Sequence, residues 1–265
     1  GGFAGESLAG MSSMIRTICA ASVVIALGIS AADGQAPGVP IETQQPLSND
    51  AEILAQAGRL HKAGELLKRE EVAEQLSKPA GGGIELAEPQ KRLLTGRELA
   101  ARARDAYVRL GWYYRCMRCD KWHLDTAGAY AIAPDALATC HHCLVPKMEM
   151  KEAYLIAIDA KQKVHAVDAV LASSSTMDCA IVRVEGGGLT SLALQDDVAP
   201  GDKVACFSEP LGQHGYFSNG IVNRFYWKRG KRGAAGSLDE LKSLRVNVST
   251  DWAQGSSGGA VLDGC

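Results

Sequence analysis

The sequence lacks an excess of charge of either sign. Its 265 residues contain 28 Lys and Arg against 30 Asp and Glu, which gives a net charge of −2 at pH 7. Nucleic-acid-binding domains carry basic patches, and disordered chains are poor in apolar residues, whereas 46% of this sequence is hydrophobic. The composition therefore predicts a globular protein with one good core and no nucleic-acid partner.

The sequence also lacks a hydrophobic run long enough to cross a membrane. Its most apolar stretch, residues 18–29, has 12 residues, whereas a membrane-spanning helix needs about 20. This stretch follows Met14-Ile15-Arg16 and is followed by two alanines that end at Ala32, an arrangement typical of a secretory signal peptide with its upstream residues. Residues 1–32 are therefore predicted to be cleaved off. We expect a periplasmic or secreted protein without membrane contact after cleavage, and a retained signal anchor is the alternative.

Residues 33–104 are predicted to form a linker followed by a helical segment. Asn49-x-x-Glu52 has the form of a capping box, and apolar residues follow it near helical spacing. A second box, Thr95-x-x-Glu98, opens a shorter helix. The first helical pattern predicts an exposed amphipathic helix or helical hairpin. It is compatible with binding a partner, with packing on its own domain or with removal as a pro-segment.

From residue 105 onward the pattern changes to short strands. Runs rich in Val, Ile, Tyr and Leu alternate with turn residues at 107–114, 122–133, 154–158, 164–172, 180–184, 203–207, 220–227 and 244–248. Many short strands without long helices between them are typical of an antiparallel sandwich or barrel. We therefore take residues 105–265 as the main domain.

A serine turn lies close to the end of the sequence, at Gly255-Ser256-Ser257-Gly258-Gly259. A serine among glycines, followed by an apolar run, suits a strained turn that presents a hydroxyl and aims backbone N–H groups at one point. Acyl transfer requires such a turn, together with a histidine and a carboxylate. Taken alone, the same composition also fits a flexible linker.

Two further segments of the sequence resemble a known family and supply a candidate histidine and carboxylate. Residues 128–143, which end in Thr139-Cys140-His141-His142-Cys143, resemble the strand, turn and histidine loop of trypsin-like serine peptidases of the chymotrypsin clan. In that loop the histidine precedes a cysteine or valine, which is the position of His142. Residues 177–184, Met-Asp-Cys-Ala-Ile-Val-Arg-Val, resemble the element that supplies the triad carboxylate in the HtrA-like bacterial branch. On this match the carboxylate is Asp178.

The resemblance extends over about residues 105–263. Residues 201–204, 209–212 and 220–222 are similar to the Gly-Asp-x-Val, Asn-Pro-x-Gly and Gly-Ile-Val series of the HtrA-like branch. The resemblance implies a mainly β fold, which is a double antiparallel β-barrel of the chymotrypsin type, preceded by an α-helical N-terminal segment. Because the sequence ends at Cys265, soon after the serine turn, the resemblance also implies a C-terminally truncated domain with an incomplete second barrel.

The resemblance implies a complete catalytic set in the order His142, Asp178, Ser257. Ser257 would be the nucleophile, His142 the general base, and a buried Asp178 the group that orients the base. The backbone amides of Gly255 and Ser257 would form the oxyanion hole. The implied activity is serine endopeptidase hydrolysis of polypeptides, without a cofactor or a catalytic metal. Ser256 departs from the Asp or Asn usual in the family. The alternatives are an inactive, peptide-binding relative and a zinc-stabilised interaction module.

Two cysteine pairs are compatible with either a disulfide or a structural zinc site. Cys116-x-x-Cys119 and Cys140-x-x-Cys143 have the spacing of a structural zinc site. Export would place them in an oxidising compartment, where disulfides form. In the resembled trypsin branch the cysteine after the histidine pairs with an earlier strand, which implies a disulfide from Cys143 to Cys116 or Cys119. A structural zinc site is the alternative.

The remaining candidates are predicted to be structural. Cys179 and Cys206 lie in apolar runs and are expected to be inert core residues. His61 lies on the charged helix and His165 alternates along a strand, so both are expected on the surface.

Overall fold

The computed structural model describes residues 49–89, 92–145, 150–229 and 242–264. The predicted signal peptide and residues 33–48 of the predicted linker lie outside the described residues. The helices are α1 (Asp50–Ala63), α2 (Arg69–Ser77) and α3 (Gly96–Ala106). The strands are β1 (Tyr107–Cys116), β2 (Trp122–Ala133), β3 (Ala136–Thr139), β4 (Met150–Ile158), β5 (Val164–Ser174), β6 (Cys179–Val184), β7 (Lys203–Ser208), β8 (Tyr216–Arg229), β9 (Lys242–Val248) and β10 (Ala260–Leu262).

The first six strands form a closed antiparallel barrel in the order β1-β2-β3-β6-β5-β4. Their inward side chains fill the barrel, and Leu110, Leu137, Leu155 and Val182 are each fully buried within it. Burial of one such side chain contributes about 1.5–3 kcal/mol to folding. Closure pairs the outer strands of the sheet with each other, so the barrel has no exposed edge.

The helical segment packs on this barrel. The Asn49 side chain caps α1 by accepting a hydrogen bond from the Glu52 amide at 3.3 Å. The apolar side of α1 contributes Ile53 to a cluster with β4 and β5, and α2 places Val72 in the barrel core; both side chains are fully buried. The apolar side of the predicted amphipathic helix therefore packs against the barrel. Of the three alternatives, the structure shows packing on the helices' own domain.

The second sheet is open, with strand order β10-β7-β8-β9. Its inner face and α3 share a cluster with two tyrosines of the first barrel, Tyr107 and Tyr130, which pack near Phe207 of β7. Tyr130 also donates its hydroxyl to the Phe207 carbonyl at 2.9 Å. The predicted double barrel of the chymotrypsin type, with an incomplete second barrel and preceding helices, is confirmed. Among the described residues, no helix combines the length and apolar character needed to cross a bilayer.

One glycine of the first barrel supports a stability prediction. A Cβ added at Gly111 of β1 would lie 2.1 Å from the Asp125 carbonyl oxygen on the paired strand. Because a paired backbone cannot move aside as a flexible side chain can, Gly111→Ala is expected to lower the free energy of unfolding by about 3 kcal/mol. Denaturant unfolding measures the change. The control is Gly83→Ala, which meets nothing within 4 Å and should stay within about 0.5 kcal/mol of wild type; equal stability of the two variants would contradict the prediction.

Candidate active site

His142 lies at the end of the first barrel, in a 3₁₀ turn (His141–Leu144) that follows β3. Its ring Nδ1 lies 3.0 and 2.9 Å from the two carboxylate oxygens of Asp178. Its Nε2 lies 2.9 Å from the Ser257 Oγ. Since a carboxylate beside Nδ1 holds the proton there, the arrangement leaves Nε2 as the acceptor that faces the serine hydroxyl.

Asp178 lies in the turn between β5 and β6, with a φ of 53°. Aspartate tolerates this left-handed conformation better than most residues. The His142 amide donates to the Asp178 carboxylate at 3.0 Å, so both the backbone and the ring of His142 contact it. The expectation of a buried carboxylate is wrong, because 33% of the Asp178 side chain is exposed. A tight turn after the end of β5 covers only part of the carboxylate.

The surroundings of Asp178 shift its ionisation. Burial raises the pKa of the Asp178 carboxyl, but the hydrogen bonds from the amide and ring of His142 outweigh burial and hold the pKa below its ordinary value. The Arg245 guanidinium on β9 lowers the pKa further. The ionised form is therefore favoured in the folded protein.

This shift predicts how the stability of one variant depends on pH. A carboxylate with a depressed pKa contributes stability above its ordinary pKa of about 3.9, and this stability is lost as pH falls through the folded-state value. The stability difference between wild type and Asp178→Asn should therefore shrink on acidification. Denaturant unfolding at several pH values between about 3 and 7 measures it. A difference that stays constant over this range would contradict the pairing.

The serine turn comes from the second sheet and docks on the first barrel. Gly128 of β2 donates its amide to the Ser257 carbonyl at 2.8 Å. A Cβ at Gly258, where φ is 79°, would lie 1.7 Å from the Gly128 carbonyl oxygen, so only glycine permits this approach. The close contact brings the Ser257 hydroxyl to His142 on the other barrel.

The amides of the serine turn differ in their partners. The Ser256 amide donates to the Ala253 carbonyl at 3.0 Å, which closes the turn. The amides of Gly255 and Ser257 have no acceptor among the described residues. A Cβ at Gly255, where φ is 98°, would lie 2.5 Å from the Glu209 carbonyl oxygen. The turn therefore leaves two amides available beside the Ser257 hydroxyl.

The neighbouring serine has a different environment. Ser256 is 4% exposed, and its Oγ accepts hydrogen bonds from the Ala253 amide and the Ser208 hydroxyl, both at 3.2 Å. These contacts hold the turn on β7 and engage the Ser256 hydroxyl with the Ala253 amide and Ser208. Of the two adjacent serines, the structure brings Ser257 to the histidine.

An open cleft lies next to Ser257. Its walls include Trp112 of β1, Asp125 and Ala127 of β2, and Gln254 in the loop before the serine. The cleft also reaches His142, Cys143 and Gly255. A chain bound along this cleft would therefore pass the serine hydroxyl and the free amides.

The predicted disulfide is wrong. Cys143 and Cys116 are both free thiols, as are the other cysteines that the structure describes. The reason is the pairing of neighbours within each turn: Cys143 forms a hydrogen bond with Cys140, while Cys116 groups with Cys119 and His123. Because the two Cys-x-x-Cys pairs belong to separate groups of side chains, they do not form one four-cysteine zinc site.

The thiols that flank His142 are polarised. The hydrogen bond from the Cys143 thiol lowers the pKa of Cys140, and the Gly258 amide adds to this effect, so that together they outweigh burial. The same hydrogen bond, followed by burial, raises the pKa of Cys143. The ionised form of Cys140 is thus favoured first by Cys143 and then by the Gly258 amide of the serine turn, a contact that the sequence analysis missed.

Two structural expectations need correction. Cys179 is exposed and not a core residue, because it begins β6 at the rim of the barrel, while Cys206 is buried as predicted. His165 is 7% exposed and its Nε2 lies 3.0 Å from Asp159 Oδ2, so the surface prediction is wrong. Helix α1 packs on this region, and its Gln56 side chain accepts a hydrogen bond from the Val164 amide, which the strand pattern alone does not reveal.

Comparison with known families agrees with this geometry. The trypsin-like peptidase domain matches residues 127–265, more than half of the chain. The chain belongs to the trypsin-like peptidase family. In this trypsin-like peptidase the match includes the histidine turn, the Asp178 turn and the serine turn. No curated protein sequence matches the chain.

Solved structures similar to this trypsin-like peptidase include proteases of two kinds. The Rv3671c protease in its inactive form is 18% identical, with a TM-score of 0.48 over 68% of this chain and 82% of that chain. The active form of the same protease, from M. tuberculosis, is 21% identical, with a TM-score of 0.48 over 68% and 74%. The HtrA-type protease AlgW with a tripeptide is 18% identical, with a TM-score of 0.47 over 64% and 51%.

Proposed function

We propose that the protein is an exported serine endopeptidase that hydrolyses internal peptide bonds of polypeptides through an acyl-enzyme on Ser257. One observation carries this proposal: a continuous line of contacts from the Asp178 carboxylate through His142 to the Ser257 Oγ, with 2.9 Å at both ends of the imidazole. These distances are within hydrogen-bond range, as a nucleophile and its base require.

The proposed reaction begins at the Ser257 hydroxyl. Its oxygen attacks the scissile carbonyl carbon while its proton moves to His142 Nε2. The C–N bond then breaks, and His142 returns the proton to the leaving amine. Water, deprotonated by the same nitrogen, hydrolyses the acyl ester and regenerates the serine. Throughout, Asp178 accepts the Nδ1 hydrogen and stabilises the imidazolium.

The free amides support the charged intermediate in this proposal. The tetrahedral intermediate carries a negative oxygen, and the amides of Gly255 and Ser257 have no competing acceptor among the described residues. Loss of one oxyanion donor costs about 3 kcal/mol in a well-studied case. Because the glycines fix both amides before substrate binds, no reorganisation is required during the reaction.

The proposal extends to the organisation of the chain. Residues 1–32 would be the signal peptide, residues 33–104 the linker and helical segment, and residues 105–265 the peptidase domain of the HtrA-like branch. The mature protein would act in the periplasm or outside the cell. The apolar stretch at residues 18–29 supports this placement.

A cleavage assay tests the endopeptidase proposal. The full-length protein is incubated with a reduced and alkylated polypeptide, and the products are identified by mass spectrometry. We expect internal fragments, and a sulfonyl fluoride should abolish them. Release of single residues from one end, or binding without any cleavage, would overturn the proposal.

A further inference from the structure

A second group of reactive side chains lies at the tip of the β1–β2 hairpin. Cys116 ends β1, Cys119 lies in the turn and His123 is the second residue of β2. The Cys119 Sγ and the His123 Nε2 are 3.0 Å apart, and the three ligand atoms all lie within 4.8 Å of one another. None of these residues takes part in the proposed peptidase reaction.

Backbone hydrogen bonds close the hairpin turn that carries the two cysteines. The Cys116 amide donates to the Lys121 carbonyl at 2.9 Å, and the Asp120 amide donates to the Cys116 carbonyl at 3.0 Å. The Arg118 amide points to the Cys116 Sγ at 3.4 Å. An amide aimed at sulfur favours the thiolate, which is the form that binds a metal.

The third ligand is fixed by a regular strand. His123 pairs with Tyr114 of β1, and the two rings lie 5.6 Å apart between centroids. The carboxylate of Asp120 is held elsewhere, by ion pairs with Arg115 and Lys151. The hairpin therefore offers two sulfurs and one imidazole, with the adjacent carboxylate engaged by cations.

We propose that Cys116, Cys119 and His123 bind a zinc ion at the hairpin tip, with the fourth coordination position taken by water. Two thiolates and an imidazole suit Zn²⁺, whose bonds are about 2.3 Å to sulfur and about 2.0–2.1 Å to nitrogen. In a tetrahedron these lengths separate two sulfurs by about 3.8 Å and a sulfur from a nitrogen by about 3.6 Å. The gap between Cys119 and His123 needs to open by only about half an ångström to reach this value.

The other cysteine pair, Cys140 and Cys143, is less suited to bind zinc. Cys140, His142 and Cys143 also place ligand atoms within 4.8 Å of one another. However, both ring nitrogens of His142 already face other groups, Asp178 on one side and Ser257 on the other. A metal there would have to displace one of these contacts, whereas the hairpin group faces no such competition from the active site.

The ion would fix one wall of the cleft. Strand β2 continues from His123 to Asp125 and Ala127, which line the cleft beside Ser257. Alternate residues of a strand share a face, so all three lie on the same side of β2. Cys119 is exposed, which gives the ion a route from solvent. The bound ion would thus hold the strand that lines the cleft beside Ser257.

Metal loading of the full-length protein tests this site. The protein is reduced, equilibrated with Zn²⁺, desalted and analysed for metal, and a parallel sample receives Co²⁺. We expect about one equivalent of zinc in wild type, together with thiolate-to-cobalt charge-transfer absorption. Cys119→Ser and His123→Ala should each weaken zinc binding about 100-fold or more. Zinc should raise the thermal midpoint of wild type but not of His123→Ala.

Two controls make the result specific. Cys179→Ser removes an exposed thiol elsewhere, and Cys140→Ser disrupts the pair beside His142; both should bind zinc as wild type does. Less than a tenth of an equivalent in wild type would overturn the proposal, as would a Cys116–Cys119 disulfide that resists mild reduction. Normal loading of Cys119→Ser, or loss of loading in Cys140→Ser alone, would overturn it too. None of these readouts depends on peptidase activity.

Discussion

Replacement of Ser257 by alanine is expected to lower kcat of the full-length protein on an unfolded polypeptide by about 10⁶-fold. The Ser257 Oγ is the hydroxyl that lies 2.9 Å from His142 Nε2, so its removal leaves the base without a nucleophile to activate. The free amides and the cleft remain, and they retain a residual rate above that in water. Initial rates with a quenched fluorescent polypeptide measure the loss.

The adjacent serine provides the matched control. Ser256→Ala removes a hydroxyl of the same size one residue earlier, whose contacts are with the Ala253 amide and Ser208. We expect its kcat to fall by less than about tenfold, because the buried hydroxyl only supports the turn. Retention of activity by Ser257→Ala together with its loss in Ser256→Ala would contradict the assignment of the nucleophile.

Replacement of Asp178 by asparagine is expected to lower kcat by about 10⁴-fold, the magnitude measured for this change in a well-studied serine peptidase. The Asp178 carboxylate contacts His142 Nδ1 at 2.9 Å and keeps the proton on that nitrogen. The side-chain NH2 of the introduced asparagine would donate a hydrogen bond to His142 Nδ1. This favours the tautomer that carries its proton on Nε2, and a protonated Nε2 cannot accept the proton of Ser257. KM should change little, because Asp178 does not line the cleft.

A second carboxylate serves as the comparison for this variant. Asp168 forms an ion pair with Arg183, and both side chains are exposed to solvent. Asp168→Asn changes the charge by the same amount and should keep kcat within about twofold of wild type. Equal losses in the two variants would show that the effect comes from net charge and not from the contact with His142.

The fold was largely predictable because its signals are local. The Thr95 capping box is present with both of its hydrogen bonds, since a cap involves residues only three positions apart. The runs rich in Val, Ile, Tyr and Leu correspond to strands of the barrel and the second sheet. β10 was not predicted, because three residues are too few to stand out as a run rich in such residues.

The parts that sequence did not predict depend on contacts between distant segments. His165 is buried because α1, about 100 residues earlier, packs over its region. The free thiols of Cys116 and Cys143 reflect which turns meet in space, whereas the spacing of the cysteines permitted either a disulfide or a zinc site. Neither the burial of His165 nor the free state of these thiols can be predicted from the residues adjacent to them in the sequence.

The candidate site shows the same division. His142 and Asp178 were identified because short segments around them resemble those of trypsin-like serine peptidases, and Ser257 because it lies in a glycine-rich turn that completes the set. Their distances depend on contacts between the barrels, above all the Gly128 amide that donates to the Ser257 carbonyl. The role of His123 at the hairpin tip was also missed, although it lies four residues after Cys119.

Covalent labelling with a fluorophosphonate tests the central claim most directly. The folded full-length protein is treated with the reagent, digested, and mapped by mass spectrometry. Because only an activated serine reacts rapidly with such a reagent, we expect one adduct, on Ser257. The adduct should be absent in Ser257→Ala and form more slowly in Asp178→Asn. A folded protein that remains unlabelled, or one labelled on Ser256, would contradict the claim that His142 and Asp178 activate Ser257.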